Sequence, residues 1–255
     1  MYKRQAGNYE DCKDCDLIII TAGRNRKPGE TRLDLIAGNS AILKNVVDQM
    51  KPHYTKGVIM IVSNPVDVLV YQCTKWMGLP NGMVFGTGCI LDSSRFTRLI
   101  ADYTRLNTEV VKATIVGEHG DAQIPIWSRV SIAGVPIQEY CENVGLRWGE
   151  NIRKDISDKV REMGATIIKG KGRTHYGIAT CVCYLAEAVL NQRLTIAPVS
   201  TMFQGEYGIE DVCLSVPSII GVNGVEKRLE ERWAEEEFLA FRQAAEKMRN
   251  VLKTL

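Results

Sequence analysis

Short apolar runs alternate with segments of helical periodicity in the first third of the chain. Residues 16–20 and 58–62 are almost entirely aliphatic, as buried strands are, and residues 84–86 form a third short run. Between the first two runs, apolar residues recur at helical spacing, which predicts a helix with Ser40 as a candidate N-terminal residue. A second helix is predicted over 66–77, where it meets a turn rich in glycine. This alternation predicts a parallel sheet with helices on both faces.

The pattern changes after about residue 88. Helical periodicity continues over four ranges: 92–103, 152–168, 177–192 and 233–252. Strand-like runs lie between them, at 113–116, 126–138 and 195–222. We therefore predict an α/β protein with two domains, residues 1–88 and 89–255, of which the second is α+β.

Composition and charge exclude several functional classes. The 255 residues are 45% hydrophobic and 24% charged, and the formal net charge is +2 with no stripe of Lys or Arg, which argues against a nucleic-acid partner. No apolar run is long enough to span a membrane and the N-terminus has no signal-peptide core, so we expect a cytoplasmic protein. The eight cysteines are scattered, as reduced thiols usually are. Cys12 and Cys15 have the C-x-x-C spacing without a second ligand pair, so no metal site is predicted, and a thiol-based metal or redox module is the weakest hypothesis.

The segment Gly117 to Asp121 is the first candidate for chemistry. It follows the apolar run 113–116 and places His119, one of three histidines in the chain, between two glycines. Glycines at the end of a buried strand are tolerated where a ligand or another backbone comes close. Histidine can donate and accept a proton near neutral pH. A loop histidine that hydrogen-bonds locally is the alternative.

Three further polar sites follow the ends of predicted elements: Arg32, Asn64 and the pair Asp92 and Arg95. The pair has i,i+3 spacing, so both side chains share one helix face at the junction between the predicted domains. A surface ion pair of little energetic value is the alternative. An Asp can hold a His in one tautomer, one Arg can grip a carboxylate, and a second Arg can stabilise a developing oxyanion. These are the groups that reduction of a 2-oxo acid by hydride transfer requires.

Five segments, in their order and spacing, resemble those of the L-lactate/malate dehydrogenase family. They are Thr21-Ala22-Gly23, Lys27 to Leu35, Ser63 to Asp67, Leu91 to Phe96 and Gly117 to Asp121. Co-linear agreement along nearly the whole chain is far more specific than one glycine fingerprint. The resemblance implies a partial Rossmann-type parallel sheet followed by an α+β catalytic domain. It also implies NAD as cofactor and hydride transfer between a 2-hydroxy acid and a 2-oxo acid.

The resemblance implies a role for each matching residue. His119 would donate a proton to the substrate carbonyl, Asp92 would orient it and raise its pKa, and Arg95 would bind the substrate carboxylate. Arg32, on a mobile loop, would stabilise the developing alkoxide once the loop closes. Asn64 and Thr174 would contact the substrate, and the residues expected to contact the cofactor are Thr21, Ala22, Gly23, Asn39, Asn64 and Ile178. Thr174 and Ile178 are equally well explained as a helix-start residue and a core residue.

The substrate is predicted from Arg26, six residues before the loop arginine. Malate enzymes of the family typically carry Arg there and lactate enzymes Gln. An arginine at this position can pair with the second carboxylate of malate or oxaloacetate, whereas the methyl group of pyruvate would leave it enclosed without a partner. The sequence thus favours malate. Lactate is the alternative, because the remainder of the loop and Trp127-Ser128 are closer to the bacterial lactate type. Arg26 could also point to solvent.

The chain lacks the family's first strand–loop–helix unit with its glycine-rich pyrophosphate loop. We therefore expect an N-terminally truncated sheet, and the choice between NAD and NADP rests on the resemblance alone. A catalytically silent protein that binds 2-oxo acids or serves in assembly is the hypothesis of a different class. Family members are commonly dimers or tetramers, which implies a homodimer or homotetramer. No nucleic-acid or membrane partner is expected.

Overall fold

The computed structural model describes residues 5–25, 29 and 31–255, apart from the side chain of Arg32. The helices in this part of the chain are α1 (Arg32–Met50), α2 (Val66–Met77), α3 (Ile90–Thr104), α4 (Ile137–Val144), α5 (Glu150–Lys171), α6 (Tyr176–Leu190) and α7 (Glu235–Leu252). The strands are β1 (Leu17–Ile20), β2 (Val58–Ile61), β3 (Val84–Gly86), β4 (Val111–Lys112), β5 (Ile115–Gly117), β6 (Gln123–Pro125), β7 (Ser131–Ile132), β8 (Val135–Pro136), β9 (Thr195–Gln204), β10 (Glu210–Gly221) and β11 (Gly224–Arg228). No helix within the described residues is both long and apolar enough to cross a membrane.

The first three strands form a parallel sheet, as the alternating pattern predicts. β1 pairs with β2, and β2 pairs with β3, both in parallel register. β2 is buried on both faces because its side chains alternate between two helical layers. Ile59 and Ile61 pack in the cluster formed with α1 and α2, whereas Val58 and Met60 pack in the cluster formed with α6. Helices therefore cover this part of the sheet on both sides.

Helix α1 begins at Arg32, eight residues before the predicted start at Ser40. A reciprocal cap explains the difference: the Thr31 hydroxyl accepts the backbone N–H of Asp34 at 3.1 Å, and the Asp34 carboxylate accepts the backbone N–H of Thr31 at 2.9 Å. Ser40 is instead an interior position, and its hydroxyl donates to Gln72 of α2 at 2.7 Å. The Ser40 prediction was wrong because Ser40 contacts α2 instead of capping a helix end.

Helix α2 lies close against β3. Gly86 permits this approach, since a Cβ there would lie 2.5 Å from Val66 Cγ2 and 2.6 Å from Val70 Cγ2. The helix ends at Gly78, which adopts the left-handed conformation with φ of 68°. The predicted range 66–77 is confirmed at both ends.

The second half of the chain continues the same sheet in antiparallel form. The strand order is β1-β2-β3-β9-β10-β5-β6, with β11 also paired to β10. The parallel and antiparallel parts meet where Gly86 of β3 pairs with Ser200 of β9. The fold is thus α/β, with a Rossmann-type parallel portion and an α+β portion, as predicted.

Two local predictions differ from the structure. The range 126–138, expected to be strand-like, contains the short β7–β8 hairpin, preceded by one turn of 3-10 helix and followed by α4. Helix α4 was not predicted, because its eight residues bury only Ile137 and Cys141 and give too short an apolar stripe. Strand β6 was not predicted either, since it has only three residues and its buried residue, Gln123, is polar.

Candidate active site

The predicted polar residues follow the ends of strands in both parts of the sheet. Thr21 follows the parallel strand β1 and Asn64 follows β2 after a short turn, whereas His119 follows β5, which pairs with β10 in antiparallel register. The first turn of α3, which carries Asp92, begins four residues after the end of β3. The carboxyl ends of parallel strands are where α/β proteins bind ligands.

His119 lies in a turn that requires glycine on both sides. Gly117 has a φ of 90° and Gly120 a φ of 147°, conformations that residues with a side chain rarely adopt. A Cβ at Gly117 would also lie 3.0 Å from the carbonyl oxygen of Ala122. The glycines therefore fix the direction in which the chain leaves β5 and place the imidazole at the edge of the sheet.

The imidazole of His119 contacts the carboxylate of Asp92. The distance from His119 Nδ1 to Asp92 Oδ2 is 2.6 Å, and the two side chains are 26% and 4% exposed, respectively. With Nδ1–H donating to the carboxylate, Nε2 remains to exchange a proton with a ligand. A nearly buried, charge-assisted contact of this length fixes both the ring orientation and the tautomer.

The surroundings of His119 favour its protonated form. Burial of the ring opposes protonation, but the hydrogen bond and charge of Asp92, together with the charge of Asp67, outweigh burial and the nearby positive charge of Arg95. The pKa of the His119 imidazole is therefore raised above its ordinary value. A histidine whose protonated form is stabilised in this way can act as a general acid.

Arg95 shares the helix face of Asp92. Arg95 Nη1 lies 3.4 Å from Asp92 Oδ1, and the Arg95 side chain is 13% exposed. The alternative of a solvated surface ion pair is thereby excluded, because both side chains are largely removed from water. A Cβ at Gly164 of α5 would lie 4.0 Å from Arg95 Nη1, so α5 forms the adjacent wall. A guanidinium held in this way can bind a carboxylate in bidentate geometry.

Asp67, in the first turn of α2, is a member of this site that we did not predict. Its side chain is buried, Oδ2 accepts the backbone N–H of His119 at 2.8 Å, and Oδ1 accepts the Ser200 hydroxyl at 2.6 Å. One signal was available in the sequence: an acidic residue inside the otherwise apolar run from Val66 to Val70. A buried carboxylate without a role would be costly, so such a position deserves a functional hypothesis.

The residues predicted to contact the cofactor fall into two groups. Thr21, Ala22, Gly23 and Asn64 are exposed at the carboxyl edge of β1 and β2. Asn39 is 1% exposed, and its amide donates to the backbone oxygens of Arg24 and Asn64 while its Oδ1 accepts the Arg24 N–H. Asn39 thus links two loops instead of facing the groove, which differs from the predicted cofactor contact.

Thr174 and Ile178 lie at the beginning of α6. Thr174 is exposed, whereas Ile178 is half-buried and packs in the cluster that contains Leu17 and Leu91. A Cβ at Gly177 would lie 3.1 Å from Leu91 Cδ1, so the first turns of α6 and α3 are adjacent. Ile178 therefore contributes to the core, and the predicted contacts of Thr174 and Ile178 with substrate and cofactor stay predictions.

Two predicted arginines lie wholly or partly outside the described residues. Arg26 falls in an undescribed segment, so its predicted contact with substrate has no structural counterpart here. Arg32 is the first residue of α1, and the backbone alone is described. The resemblance implied that Arg32 lies on a loop, but the cap formed by Thr31 and Asp34 makes it the first residue of α1.

Cys12 is the last residue of a 3-10 turn, Tyr9–Cys12, and Cys15 follows shortly after it. Burial, followed by the charges of Cys15 and Asp11, raises the pKa of the Cys12 thiol. Among the residues described, no group of three or more His, Cys, Asp or Glu side chains could hold a metal ion. These observations do not favour the thiol-based hypothesis.

Comparison with known proteins places this geometry in context. The model of the lactate/malate dehydrogenase NAD-binding domain matches residues 1–86, and that of the lactate/malate dehydrogenase alpha/beta C-terminal domain matches residues 89–255. An L-lactate dehydrogenase of Thermoanaerobacterium saccharolyticum is 42% identical over 98% of this chain and 80% of its own length. An L-lactate dehydrogenase of Acetivibrio thermocellus is 38% identical over 98% of this chain and 78% of its own length.

Solved structures give the same result. The minor L-lactate dehydrogenase of Enterococcus mundtii, in its ligand-bound form, superposes with a TM-score of 0.93 at 38% identity, covering 98% of this chain and 79% of that one. An L-lactate dehydrogenase of Clostridium thermocellum has a TM-score of 0.86 at 43% identity, covering 97% of this chain and 80% of that one. Because two consecutive family models and relatives of this identity span nearly the whole chain, the protein belongs to the lactate/malate dehydrogenase family of NAD-dependent oxidoreductases, which interconvert 2-hydroxy and 2-oxo acids.

Proposed function

We propose that this chain catalyses the L-lactate dehydrogenase reaction, the reversible reduction of pyruvate to L-lactate. The observation that carries the proposal is the arrangement around Asp92, whose carboxylate contacts His119 at 2.6 Å and Arg95 at 3.4 Å. It places a proton donor and a carboxylate-binding cation beside each other, as a 2-oxo acid requires. The L-lactate dehydrogenases among the relatives support this substrate.

The carboxyl edge of the parallel strands fits NAD. Gly23 is exposed there, and a Cβ at this position would lie 3.3 Å from the Ser63 side chain, so glycine avoids a close contact with Ser63. Thr21, Ala22 and Gly23 would line the cofactor groove, with Asn64 and Ile178 on the nicotinamide side. When bound, NADH supplies the hydride that adds to the carbonyl carbon of the substrate.

The residues of the chain supply binding and proton transfer. Arg95 would hold the substrate carboxylate, which orients the carbonyl toward His119. The Nε2–H of His119 would donate its proton to the carbonyl oxygen while the new C–H bond forms, giving the hydroxyl group. Asp92 stabilises the imidazolium before this transfer, and solvent reprotonates the ring afterwards.

Three other residues would complete the site. Arg32 would stabilise the negative charge that develops on the oxygen, and Asn64 would hydrogen-bond near the same atom. Thr174 would border the substrate from the beginning of α6. Exclusion of water around these groups would strengthen each electrostatic interaction.

Oxaloacetate is the second candidate substrate, on the evidence of Arg26. A cation six residues before Arg32 suits a second carboxylate, and it was the basis for predicting a preference for malate. The comparisons do not support that preference and favour lactate, since the relatives reported above are L-lactate dehydrogenases by name. Arg26 remains the position at which the two substrates can be told apart.

Steady-state kinetics with pyruvate and oxaloacetate test the proposal. We expect reduction of pyruvate by NADH with a higher kcat/KM than that of oxaloacetate. A higher kcat/KM for oxaloacetate would show that the chain is a malate dehydrogenase instead of a lactate dehydrogenase. No turnover of either substrate would favour the hypothesis of a catalytically silent binding protein. Arg26→Gln tests the role of Arg26, with Lys27→Gln as the matched control that removes a neighbouring positive charge. A change in the substrate ratio for Arg26→Gln alone would place Arg26 at the substrate.

A further inference from the structure

A second buried carboxylate lies directly behind His119. Asp67 is 2% exposed, and its two oxygens accept hydrogen bonds from separate parts of the fold. Oδ2 accepts the backbone N–H of His119 at 2.8 Å, and Oδ1 accepts the hydroxyl of Ser200, in β9, at 2.6 Å. Asp67 itself belongs to the first turn of α2, where the helix dipole stabilises negative charge. One carboxylate thus joins α2, the central strand β9 and the His119 turn.

We propose that Asp67 is a positioning residue for His119, which ties the histidine backbone to the sheet and supplies negative charge behind the imidazole. The inference rests on the proposed function in one respect: His119 must be the proton donor for Asp67 to affect catalysis. Asp92 holds the ring through Nδ1, whereas Asp67 holds the backbone from which the ring projects. Together they fix the imidazole at two points, and neither contact uses Nε2.

The charges around His119 have opposite effects on its protonation. The charged groups that act on the imidazole are Asp92 and Arg95 from α3 and Asp67 from α2. Two further titratable groups are close to the turn: Glu118 precedes His119 in the chain, and Cys89 Sγ donates to the Gly117 carbonyl oxygen. The negative charges of Asp92 and Asp67 raise the pKa of His119, whereas the positive charge of Arg95 lowers it. Burial raises the pKa of the Cys89 thiol well above its ordinary value, so this group stays neutral. Removing the Asp67 charge should therefore make the imidazolium less stable.

Titration of the histidine imidazoles by NMR tests this inference in the full chain. The chain has three histidines, His53, His119 and His175, and the His119 signal is identified by its loss in His119→Gln. Asp67→Asn keeps an oxygen that can accept the His119 N–H but removes the charge. We expect the His119 pKa to fall in this variant, because one of the negative charges that raise it is removed. In pyruvate reduction, the pH at which kcat/KM declines should fall with it.

Glu237→Gln is the matched control. Glu237 is also buried and also accepts backbone N–H groups and a serine hydroxyl, from Ser128 and Ala234, but it does so at the start of α7. We expect the His119 titration to be unchanged in this variant, although its loss of stability should be comparable. If Asp67→Asn does not fold, Asp67→Ser is used, because a hydroxyl can still accept the His119 N–H without carrying charge.

The outcomes separate this inference from the proposed function. A lowered His119 pKa in a folded Asp67 variant, with Glu237→Gln unchanged, supports the positioning role. An unchanged pKa in the Asp67 variant, or an equal shift in Glu237→Gln, overturns it. The NMR titration requires no turnover. An inactive wild-type chain would therefore refute the proposed function without deciding the inference about Asp67.

Discussion

Asp92 Oδ2 lies 2.6 Å from His119 Nδ1, and the carboxylate is almost completely shielded from water. Since Asp92 is in the first turn of α3, the helix N-terminus also stabilises its negative charge. The pair is therefore arranged to keep a proton on the imidazole at a pH where a free histidine would begin to lose it. Five consequences of this site and its supporting fold can be measured.

The pH dependence of catalysis should follow the raised pKa of His119. Reduction of the 2-oxo acid needs the imidazolium, so kcat/KM should be constant at low pH and decline as pH rises through a pKa above 6.5. Oxidation of the 2-hydroxy acid needs the neutral ring and should show the opposite dependence. His119→Gln should lower the rate of reduction by about 10²- to 10⁴-fold. The measurement is the initial rate of change in NADH absorbance at pH values from about 5 to 9, which bracket the ordinary pKa of histidine.

The same shift has a consequence for stability. Because the folded-state pKa of His119 lies above its unfolded value, its ionisation stabilises the fold at low pH, and this contribution is lost as pH rises through the folded-state pKa. Asp92→Asn should therefore cost more stability at pH values below about 6.5 than at alkaline pH. Urea unfolding of the wild type and the variant at both pH values measures the difference. An equal cost at both pH values would contradict the assignment.

Arg95 should determine substrate affinity through its guanidinium geometry. Arg95→Lys keeps the charge but loses the planar pair of donors, so KM for the 2-oxo acid should rise by at least about tenfold. The matched control is Arg98→Lys, on the same helix, where Arg98 forms an exposed pair with Asp102. KM should be unchanged in the control. A rise in KM in both variants would indicate a general effect on α3 instead of loss of a specific contact.

The cap at the start of α1 should contribute measurably to stability. Thr31→Ala removes the acceptor for the Asp34 N–H and should reduce the free energy of unfolding by about 1 kcal/mol. Thr254→Ala, near the C-terminus, removes a hydroxyl that donates to the Val251 carbonyl and should have little effect. Urea unfolding monitored by circular dichroism compares the two variants. Thr31→Ala should also affect catalysis, since Arg32 follows the cap directly.

Gly86 should be intolerant of even one added methyl group. In Gly86→Ala, the new Cβ would meet the side chains of Val66 and Val70 at 2.5 and 2.6 Å, and we expect a loss of about 1–3 kcal/mol from overpacking. Gly170→Ala in α5 is the opposite case, because nothing lies within 4 Å of its Cβ and the helix should gain up to about 1 kcal/mol. Thermal unfolding distinguishes them by the direction of the change in Tm.

The sequence predicts those parts of the molecule that depend on local pattern. Strands β2 and β3 are recognisable because two buried faces require continuous apolar runs, whereas β1 carries such a run although only Ile20 of its four residues is buried. His119, Asp92 and Arg95 are recognisable because their spacing relative to glycines and helix starts limits what they can do. The structure brings these three side chains together, and the family comparison agrees with the chemistry that their types imply.

Other features depend on distant contacts and could not be predicted in this way. Asp67 and His119 are 52 positions apart, and nothing in the local pattern indicates their hydrogen bond. Asn39 is a polar residue that was expected to contact the cofactor, but its side-chain amide donates to the carbonyl oxygens of Arg24 and Asn64 instead. The start of α1 depends on a cap that outweighs the weak apolar pattern of its first turns. In each case, a tertiary or reciprocal hydrogen bond decides the outcome.

The pairing of Gly86 with Ser200 has a consequence for how the site can move. This backbone contact makes one sheet out of the strands proposed to line the cofactor groove and the strands that support His119. A hinge rotation of one half against the other would break hydrogen bonds within the sheet, which is costly for buried backbone groups. The spacing between the end of β2 and the catalytic histidine is therefore set as a fixed dimension of one sheet. Any closure over a bound substrate must come from segments that lie outside it.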